Sequence, residues 1–213
     1  FFQTGVSEID QVLGDLARLG VTVEPGRALD FGCGPGRLTQ ALAAHFTQVD
    51  GVDISPSMIA LANQHNRHPD RCRYHLNRSD SLAIFPDETF DFVYSNITLQ
   101  HMEPGYAKGY LREFVRCLRP NGVVVFQIPG RQTGLRPRLK ALMPEPLLEA
   151  YRRLRYHGHP AARIHGIPQA EVLALCQAEG IAVLEVQANQ NTGAGWESFR
   201  YSGRRVGSAV PRA

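Results

Sequence analysis

Hydrophobic and polar positions along the chain follow two alternating periods, which predicts helices interspersed with strands. In SEIDQVLGDLARLG the apolar residues recur every three or four positions, so we expect an amphipathic helix capped by Ser7 and ended by Gly20. Ser55 followed by Pro56 predicts the start of another helix. Short apolar runs bounded by glycine or proline predict strands. The predicted strands, in chain order, are RALDFG, QVDGVDIS, CRYHLNR, FDFVYSN, GVVVFQIP, IAVLEVQANQ and WESFRYSGR.

This order of elements predicts an α/β fold. Strands that alternate with helices need right-handed crossovers, which place helices on both faces of a mainly parallel sheet. Ligands of such sheets bind at the carboxyl ends of the strands, near the switch in strand order. We therefore expect the chemistry to follow the first, second and fourth strands.

The stretch LDFGCGPGRLT places three glycines at every second position between a strand and a helix. Gly32, Gly34 and Gly36 permit positive φ and a close approach of the backbone to a ligand. Dinucleotide-binding folds use GxGxxG, and the phosphate loop ends in Gly-Lys-Ser/Thr, so neither signature is present. Asp30 precedes the turn, where a carboxylate would repel a pyrophosphate and suit a cationic ligand. The alternative is a tight turn that binds nothing.

A second aspartate, Asp53, ends the second predicted strand. An acid at this position can accept hydrogen bonds from both ribose hydroxyls of an adenosine. The alternative is that Asp53 caps the following helix, but Ser55 is better placed for that role. The two aspartates together predict a site for a ligand that carries a ribose and a positive charge.

Four stretches in register resemble the class I S-adenosylmethionine-dependent methyltransferases of the small-molecule type. They are LDFGCGPGRLT, VDGVDISPSMI, FDFVYSNITLQHM and LRPNGVVVFQIP. The resemblance implies a Rossmann-like, doubly wound, seven-stranded sheet of order 3-2-1-4-5-7-6, mostly parallel with one antiparallel strand. It also implies S-adenosylmethionine as the cofactor and a single methyltransferase domain over residues 1–213.

The resemblance also implies roles for individual residues. Asp30 would lie near the ammonium group of the cofactor, directly or through water, while Ile54 and Met58 would cover the adenine, although Met58 could instead be core. Asp80, between two serines, would meet the exocyclic amine of adenine, in a loop one residue longer than is usual. The implied cofactor-binding residues are Asp30, Gly32, Cys33, Gly34, Gly36, Asp53, Ile54, Met58, Ser79, Asp80, Ser81 and Asn96.

Residues after the fourth strand are candidates for the transfer step. Asn96 is expected to face the methionine end of the cofactor, with Gln100 and His101 on the next turn beside the substrate. His101 could remove a proton from the acceptor, because imidazole titrates near neutral pH. The alternative is that His101 packs against the turn before Pro104. The sequence lacks the Asn/Asp-Pro-Pro-Tyr/Phe motif, which by resemblance argues against methylation of exocyclic base amines.

Positive charge is concentrated in one segment. The net charge is +3, but residues 131–165 hold eight basic and two acidic residues, so the rest of the chain is slightly acidic. By resemblance this segment is a substrate lid, and its cations would favour an anionic acceptor. The alternative is a solvated helix face. The candidate substrate residues of the lid are Arg155, His159, Arg163 and His165.

The remaining composition limits the partners. A net charge of +3 does not by itself imply nucleic acid, and no apolar run approaches the roughly 18 residues of a membrane span. The four cysteines are far apart and form no CxxC pair, which argues against a zinc site and against a disulfide framework and fits a reducing cytoplasm. We expect no metal. Together with the resemblance, these limits lead us to expect a small-molecule methyltransferase acting at oxygen, with carbon and nitrogen as the alternative atoms. RNA or protein methylation, or cofactor binding without transfer, are the alternatives.

Overall fold

The computed structural model describes residues 1–133, Pro144, residues 163–193 and residues 195–207. Seven strands form one sheet with the order β3-β2-β1-β4-β5-β7-β6. Strand β7 runs antiparallel to both of its neighbours, and the pairs among β1 to β5 are parallel. The predicted fold class, strand order and single antiparallel strand are confirmed. The strands are β1 Arg27–Phe31, β2 Gln48–Asp53, β3 Cys72–Leu76, β4 Phe90–Ser95, β5 Leu118–Gln132, β6 Ile181–Asn189 and β7 Trp196–Arg205.

Helices connect the strands, and one predicted helix start is wrong. The helices are α1 Phe2–Arg18, α2 Arg37–Leu42, α3 Pro56–Gln64, α4 Pro104–Cys117 and α5 Gln169–Ala178. Ser55 caps α3 as predicted, since its hydroxyl accepts a hydrogen bond from the Met58 amide at 3.4 Å. Ser7 does not cap α1, because the helix already begins at Phe2 and the Ser7 hydroxyl bonds the Gln3 carbonyl inside it. None of the helices in the described ranges is long and apolar enough to cross a bilayer.

Two hydrophobic cores lie on opposite faces of the sheet. On one face, α1 and α2 bury Ile9, Leu16 and Leu42 against Phe92 of β4. On the other face, α4 and α5 pack on the sheet through a second set of apolar residues that includes Phe114 and Val172. Because both faces are covered, the carboxyl ends of the strands are the exposed edge at which a ligand can bind.

A buried ion cluster joins the first three strands. Asp50, which is fully buried in β2, accepts hydrogen bonds from Arg27 Nε at 2.6 Å and His75 Nε2 at 2.7 Å. Burial tends to raise the pKa of Asp50, but the hydrogen bonds from His75 and Arg27 outweigh it and hold the pKa below its ordinary value. The stability that the ionised carboxylate contributes is therefore present above pH 4 and is lost as the pH falls through the lowered pKa.

We predict that Asp50→Asn destabilises the fold by about 3 kcal/mol at pH 7, because it leaves the Arg27 guanidinium beside a neutral amide. Urea denaturation measures the change. Asp87→Asn is the matched control, since Asp87 pairs with Arg116 at the surface and its side chain is 70% exposed. The control substitution should lower the free energy of unfolding by less than about 1 kcal/mol. An equal loss of stability in the two variants would contradict the prediction.

Candidate functional site

A cavity of about 680 Å³ opens at the carboxyl ends of the parallel strands. Its walls are Gly32 after β1, Asp53 and Ile54 at the end of β2, the loop 77–80 after β3, and part of the segment 98–110 after β4. The cavity therefore lies where the strand order predicts a ligand site.

The glycine turn needs glycine for both its conformation and its packing. Gly32, Gly34 and Gly36 have φ of 78°, 52° and 85°, values that side-chain-bearing residues rarely adopt. A Cβ on Gly32 would lie 2.0 Å from the Thr98 hydroxyl, and one on Gly36 would lie 2.4 Å from the Tyr74 hydroxyl. Part of the glycine pattern thus serves the turn itself, and its contact with a ligand stays a prediction.

Asp53 is fixed at the edge of the cavity by two backbone amides. Its Oδ2 accepts from the Gly34 amide at 2.9 Å, and its Oδ1 accepts from the Ser55 amide at 2.8 Å. A carboxylate offers about four acceptor positions, so both oxygens can accept further hydrogen bonds from the cavity. The carboxylate is oriented before any ligand arrives, as a ribose-binding role requires.

The loop after β3 brings two of its three predicted residues to the cavity. Ser79 and Asp80 line it, while Ser81 does not. The buried Asn77 holds the loop by donating to the Ser81 carbonyl at 2.8 Å and accepting from the Ser79 amide at 3.3 Å. The Tyr110 hydroxyl donates to the Ser79 carbonyl at 2.6 Å. Asn77 and Tyr110 were not among the predicted site residues, although a polar residue at the end of the third predicted strand was a usable signal for Asn77.

The two residues expected to cover the adenine are placed differently. Ile54 lines the cavity and is 67% exposed. Met58 is also exposed, but it lies on α3 and is not part of the cavity wall. Met58 is not a core residue either, and its contact with a cofactor stays a prediction.

Asp30 lies behind the glycine turn and is buried, with only 1% of its surface exposed. Its Oδ2 accepts from the Thr39 hydroxyl at 2.7 Å, whereas its Oδ1 has no partner in the described part of the chain. Burial raises the pKa of Asp30 to about 7; the bond from Thr39 opposes this rise and repulsion by Glu8 adds to it. Cys33 is also buried here, and burial raises the pKa of its thiol well above the ordinary value.

His101 lines the cavity, whereas Gln100 beside it is buried. The side-chain oxygen of Gln100 accepts hydrogen bonds from Thr192 at 3.1 Å and from Gln127 at 3.3 Å, and these bonds fix the orientation of the Gln100 amide. The amide nitrogen then lies 3.3 Å from His101 Nε2, so neutral His101 accepts there and carries its proton on Nδ1. Gln100 therefore touches the imidazole rather than the cavity.

Asn96 lies on the wall of a second cavity, of about 440 Å³, beside α1. Its Nδ2 donates to Glu8 Oε1 at 2.5 Å, and its Oδ1 accepts from Asn191 at 3.1 Å. Glu8 was not among the residues predicted from the sequence. The signal was a polar stripe on α1 at helical spacing, formed by Thr4, Ser7, Glu8 and Gln11, all of which line this second cavity.

Residues 29–126, which carry the glycine turn, Asp53 and the segment after β4, match the protein family described as "Methyltransferase domain". Together with the sheet order, this match assigns residues 29–126 to a methyltransferase domain of the class I, S-adenosylmethionine-dependent type.

Curated relatives resemble this methyltransferase over part of their length. Trans-aconitate 2-methyltransferase of Streptomyces coelicolor is 36% identical over 120 residues, which are 54% of this chain and 39% of that protein. Malonyl-[acyl-carrier protein] O-methyltransferase of Halorhodospira halophila is 35% identical over 53% of this chain and 38% of that protein. Phosphoethanolamine N-methyltransferase of Triticum aestivum is 31% identical over 63% of this chain and 26% of that protein. The chain thus spans about two fifths or less of these relatives.

Solved structures share the fold at low sequence identity. A methyltransferase from Methanosarcina mazei superposes with a TM-score of 0.73 at 21% identity, covering 90% of this chain and 98% of that one. Magnesium protoporphyrin IX methyltransferase from Synechocystis, solved with bound S-adenosylhomocysteine, superposes with a TM-score of 0.65 at 18% identity. The superposition covers 96% of this chain and 85% of that one. These likenesses establish the methyltransferase fold.

Of the basic segment, the structure describes residues 131–133, Pro144 and residues 163–165. Arg155 and His159 lie outside the described residues. Arg163 and His165 are described but do not line the larger cavity. The main-chain amide of His165 donates to the main-chain carbonyl of Gln100 at 2.8 Å. Within the described ranges, no group of three His, Cys, Asp or Glu side chains is arranged to hold a metal ion.

We predict that Asp30→Asn stabilises this methyltransferase relative to the unsubstituted chain, and more at pH 8 than at pH 5. The folded-state pKa of about 7 exceeds the ordinary value near 4. Stability contributed by the neutral carboxyl is therefore complete below pH 4 and is lost as the pH rises through 7. The difference in the free energy of unfolding between the two proteins should grow by about 2–3 kcal/mol from pH 5 to pH 8. Urea denaturation at the two pH values measures it, and a difference independent of pH would contradict the burial argument.

Proposed function

We propose that this chain transfers a methyl group from S-adenosylmethionine to a small-molecule acceptor. The observation that carries the proposal is Asp53, held by the Gly34 and Ser55 amides with both oxygens able to accept further bonds at the edge of the 680 Å³ cavity. When bound, the cofactor supplies a methyl group made electrophilic by its sulfonium.

The residues of the cavity fit the parts of an adenosine. Asp53 would accept from the two ribose hydroxyls, and each hydrogen bond to a charged acceptor contributes about 1.5–3 kcal/mol. Ser79 and Asp80 would face the adenine amine, and Ile54 would cover one face of the ring. Gly32 has no side chain, so its backbone forms part of the cavity wall.

Alignment is the main contribution that we propose for the protein. Holding nucleophile and methyl group in line in a dry site can supply about 7–11 kcal/mol, whereas a positioned base adds about 10²–10⁴-fold in rate. His101 is our candidate base. Its Nε2 accepts a weak bond from Gln100, so an acceptor hydroxyl would have to displace that amide before its proton could transfer to the imidazole.

We propose that the methylated atom is an oxygen and that the acceptor is anionic. The relatives' names support acidic acceptors, since trans-aconitate, a malonyl group and phosphoethanolamine all carry carboxylate or phosphate groups. The name of one relative specifies oxygen and that of another specifies nitrogen. The cationic segment 131–165 is the proposed source of charge for the acceptor, as a lid within one methyltransferase domain over residues 1–213.

We further propose a cytoplasmic location, with neither nucleic acid nor membrane as a partner. The support is chemical: the four cysteines are buried as free thiols, which is the state that a reducing compartment maintains.

We predict that the chain binds S-adenosylhomocysteine and that Asp53→Ala weakens this binding tenfold or more, equivalent to about 1.4 kcal/mol. Isothermal titration calorimetry measures the affinity. Asp53→Asn belongs beside it, because an amide keeps one acceptor and loses the charge, and Asp70→Ala is a control at an exposed aspartate. Melting temperatures separate lost binding from lost folding. Unchanged affinity in folded Asp53→Ala would reject the ribose assignment.

We predict that the effect of His101→Ala depends on the acceptor. An acceptor hydroxyl must lose a proton, so kcat should fall by about 10²-fold or more. A carboxylate such as trans-aconitate has no proton to lose at pH 7, so kcat should change less than about tenfold. Release of S-adenosylhomocysteine, followed with each acceptor, measures both rates. An equal loss with both acceptor types would contradict a role as base.

A further inference from the structure

The second cavity is a built, polar site beside the glycine turn. We call it the α1 cavity; it is lined by the polar stripe of α1, by Tyr94 and Asn96 of the β4 end, and by residues of β6, β7 and the loop between them. The loop after β4 separates it from the larger cavity, since Ile97 lines the α1 cavity and Thr98 lines the larger one. The two cavities are therefore neighbours across one loop.

Glu8 is the central acid of the α1 cavity. Its Oε1 accepts from the Tyr94 hydroxyl at 2.7 Å and from Asn96 Nδ2 at 2.5 Å, and its Oε2 pairs with Arg37 Nη1 at 2.9 Å. These three donors leave about one of the four acceptor positions of the carboxylate open. The side chain retains 23% exposure, so a ligand can reach that position.

Helix α1 is held tightly against the end of the glycine turn. A Cβ on Gly5 would lie 2.6 Å from the Arg37 carbonyl oxygen, so this approach requires glycine. Arg37 is the first residue of α2 and directly follows Gly36. This packing brings Glu8 to Arg37 at the end of the turn, where the two form an ion pair, while Asp53 is fixed at Gly34 within the same turn.

The charges around this end of the turn do not balance. Two acids, Glu8 and Asp30, lie near one cation, Arg37, and all three influence one another electrostatically. Arg200, which also lines the α1 cavity, is engaged by Asp15. Asp30 is 1% exposed with an unpartnered Oδ1, and the Nδ2 of Asn189 on the cavity wall is buried without a partner in the described ranges. A cationic ligand with further acceptor groups would complete this arrangement.

We propose that Glu8, oriented by Tyr94 and Asn96, binds the primary ammonium group of the cofactor's amino-acid arm. The inference rests on the proposed function, because it places the ribose at Asp53 and leads the arm past Gly32 to the α1 cavity. Glu8 supplies the open acceptor position, and the ammonium would add a second cation, beside Arg37, to the two acids. A primary amine on the methyl acceptor has the same chemistry, so the experiment must separate these two sources.

The experiment compares two ligands in two proteins. One ligand is S-adenosylhomocysteine, and the other is its deaminated analogue, which keeps the carboxylate arm and has a methylene in place of the carbon that bears the ammonium. Glu8→Gln retains an acceptor for Tyr94 and Asn96 and removes the charge. We expect Glu8→Gln to weaken S-adenosylhomocysteine tenfold or more and the deaminated analogue less than threefold, by calorimetry.

Asp10→Asn is the matched control. Asp10 is another acid of α1, it pairs with His45 at 3.0 Å, and it lies outside the α1 cavity. Its loss should change neither affinity. Should Glu8→Gln fold poorly, as judged by its melting temperature, Tyr94→Phe provides a second variant, because it removes one donor that orients Glu8. It should weaken S-adenosylhomocysteine more than the analogue.

Each other outcome overturns the assignment. Equal weakening of both ligands would mean that Glu8 supports α1 and does not contact the ammonium. If Glu8→Gln left the affinity for S-adenosylhomocysteine unchanged and raised the KM for phosphoethanolamine, Glu8 would instead bind the ammonium group of an amine acceptor. Binding of neither ligand by the unsubstituted chain would reject the proposed function itself, a result distinct from loss in the Glu8 variant alone.

Discussion

The hydrogen bonds that converge on Asp53 are the constraint on which the rest of the site depends. One carboxylate receives the Gly34 amide of the turn after β1 and the Ser55 amide at the start of α3. It therefore joins two loops that parallel pairing of β1 and β2 has already brought to the same edge. Because each bond to a charged acceptor is stronger than a neutral one, the glycine turn and the proposed ribose acceptor are positioned together.

The two faces of the sheet contribute different parts of the site. The wall of the larger cavity includes residues from the face of the sheet that α4 covers, such as Phe31 and Tyr110. The ring centres of these two residues lie 4.4 Å apart. The α1 cavity is walled by a helix from the opposite face. The loop after β4 lies between them, and the buried Gln127 fixes it by accepting from the Ile97 amide at 3.2 Å. Methyl transfer in line, as proposed, would take place where these two halves meet.

Much of the fold and part of the site could be predicted from local pattern. Strand and helix periods identified the α/β class, and four motifs in register supplied the sheet order through family resemblance. Ser55 was correctly predicted to cap α3, and Asp53 ends β2 as expected, because both signals are local to a strand end. The start of α1 was predicted six residues late, because a cap-like serine is a local signal, whereas contact with α2 at Gly5 is a tertiary one.

The sequence by itself determined the period of each element, the conformation that the three glycines permit, and the order in which acids follow the strands. Tertiary structure alone decided which distant residues share a site. Glu8 meets Tyr94 and Asn96 across 86 and 88 positions of the chain, and Gln100 turns inward to Gln127 and Thr192. Periodicity reports which face of an element is apolar, but the partner of a polar side chain depends on how separate elements pack, and no local spacing encodes that.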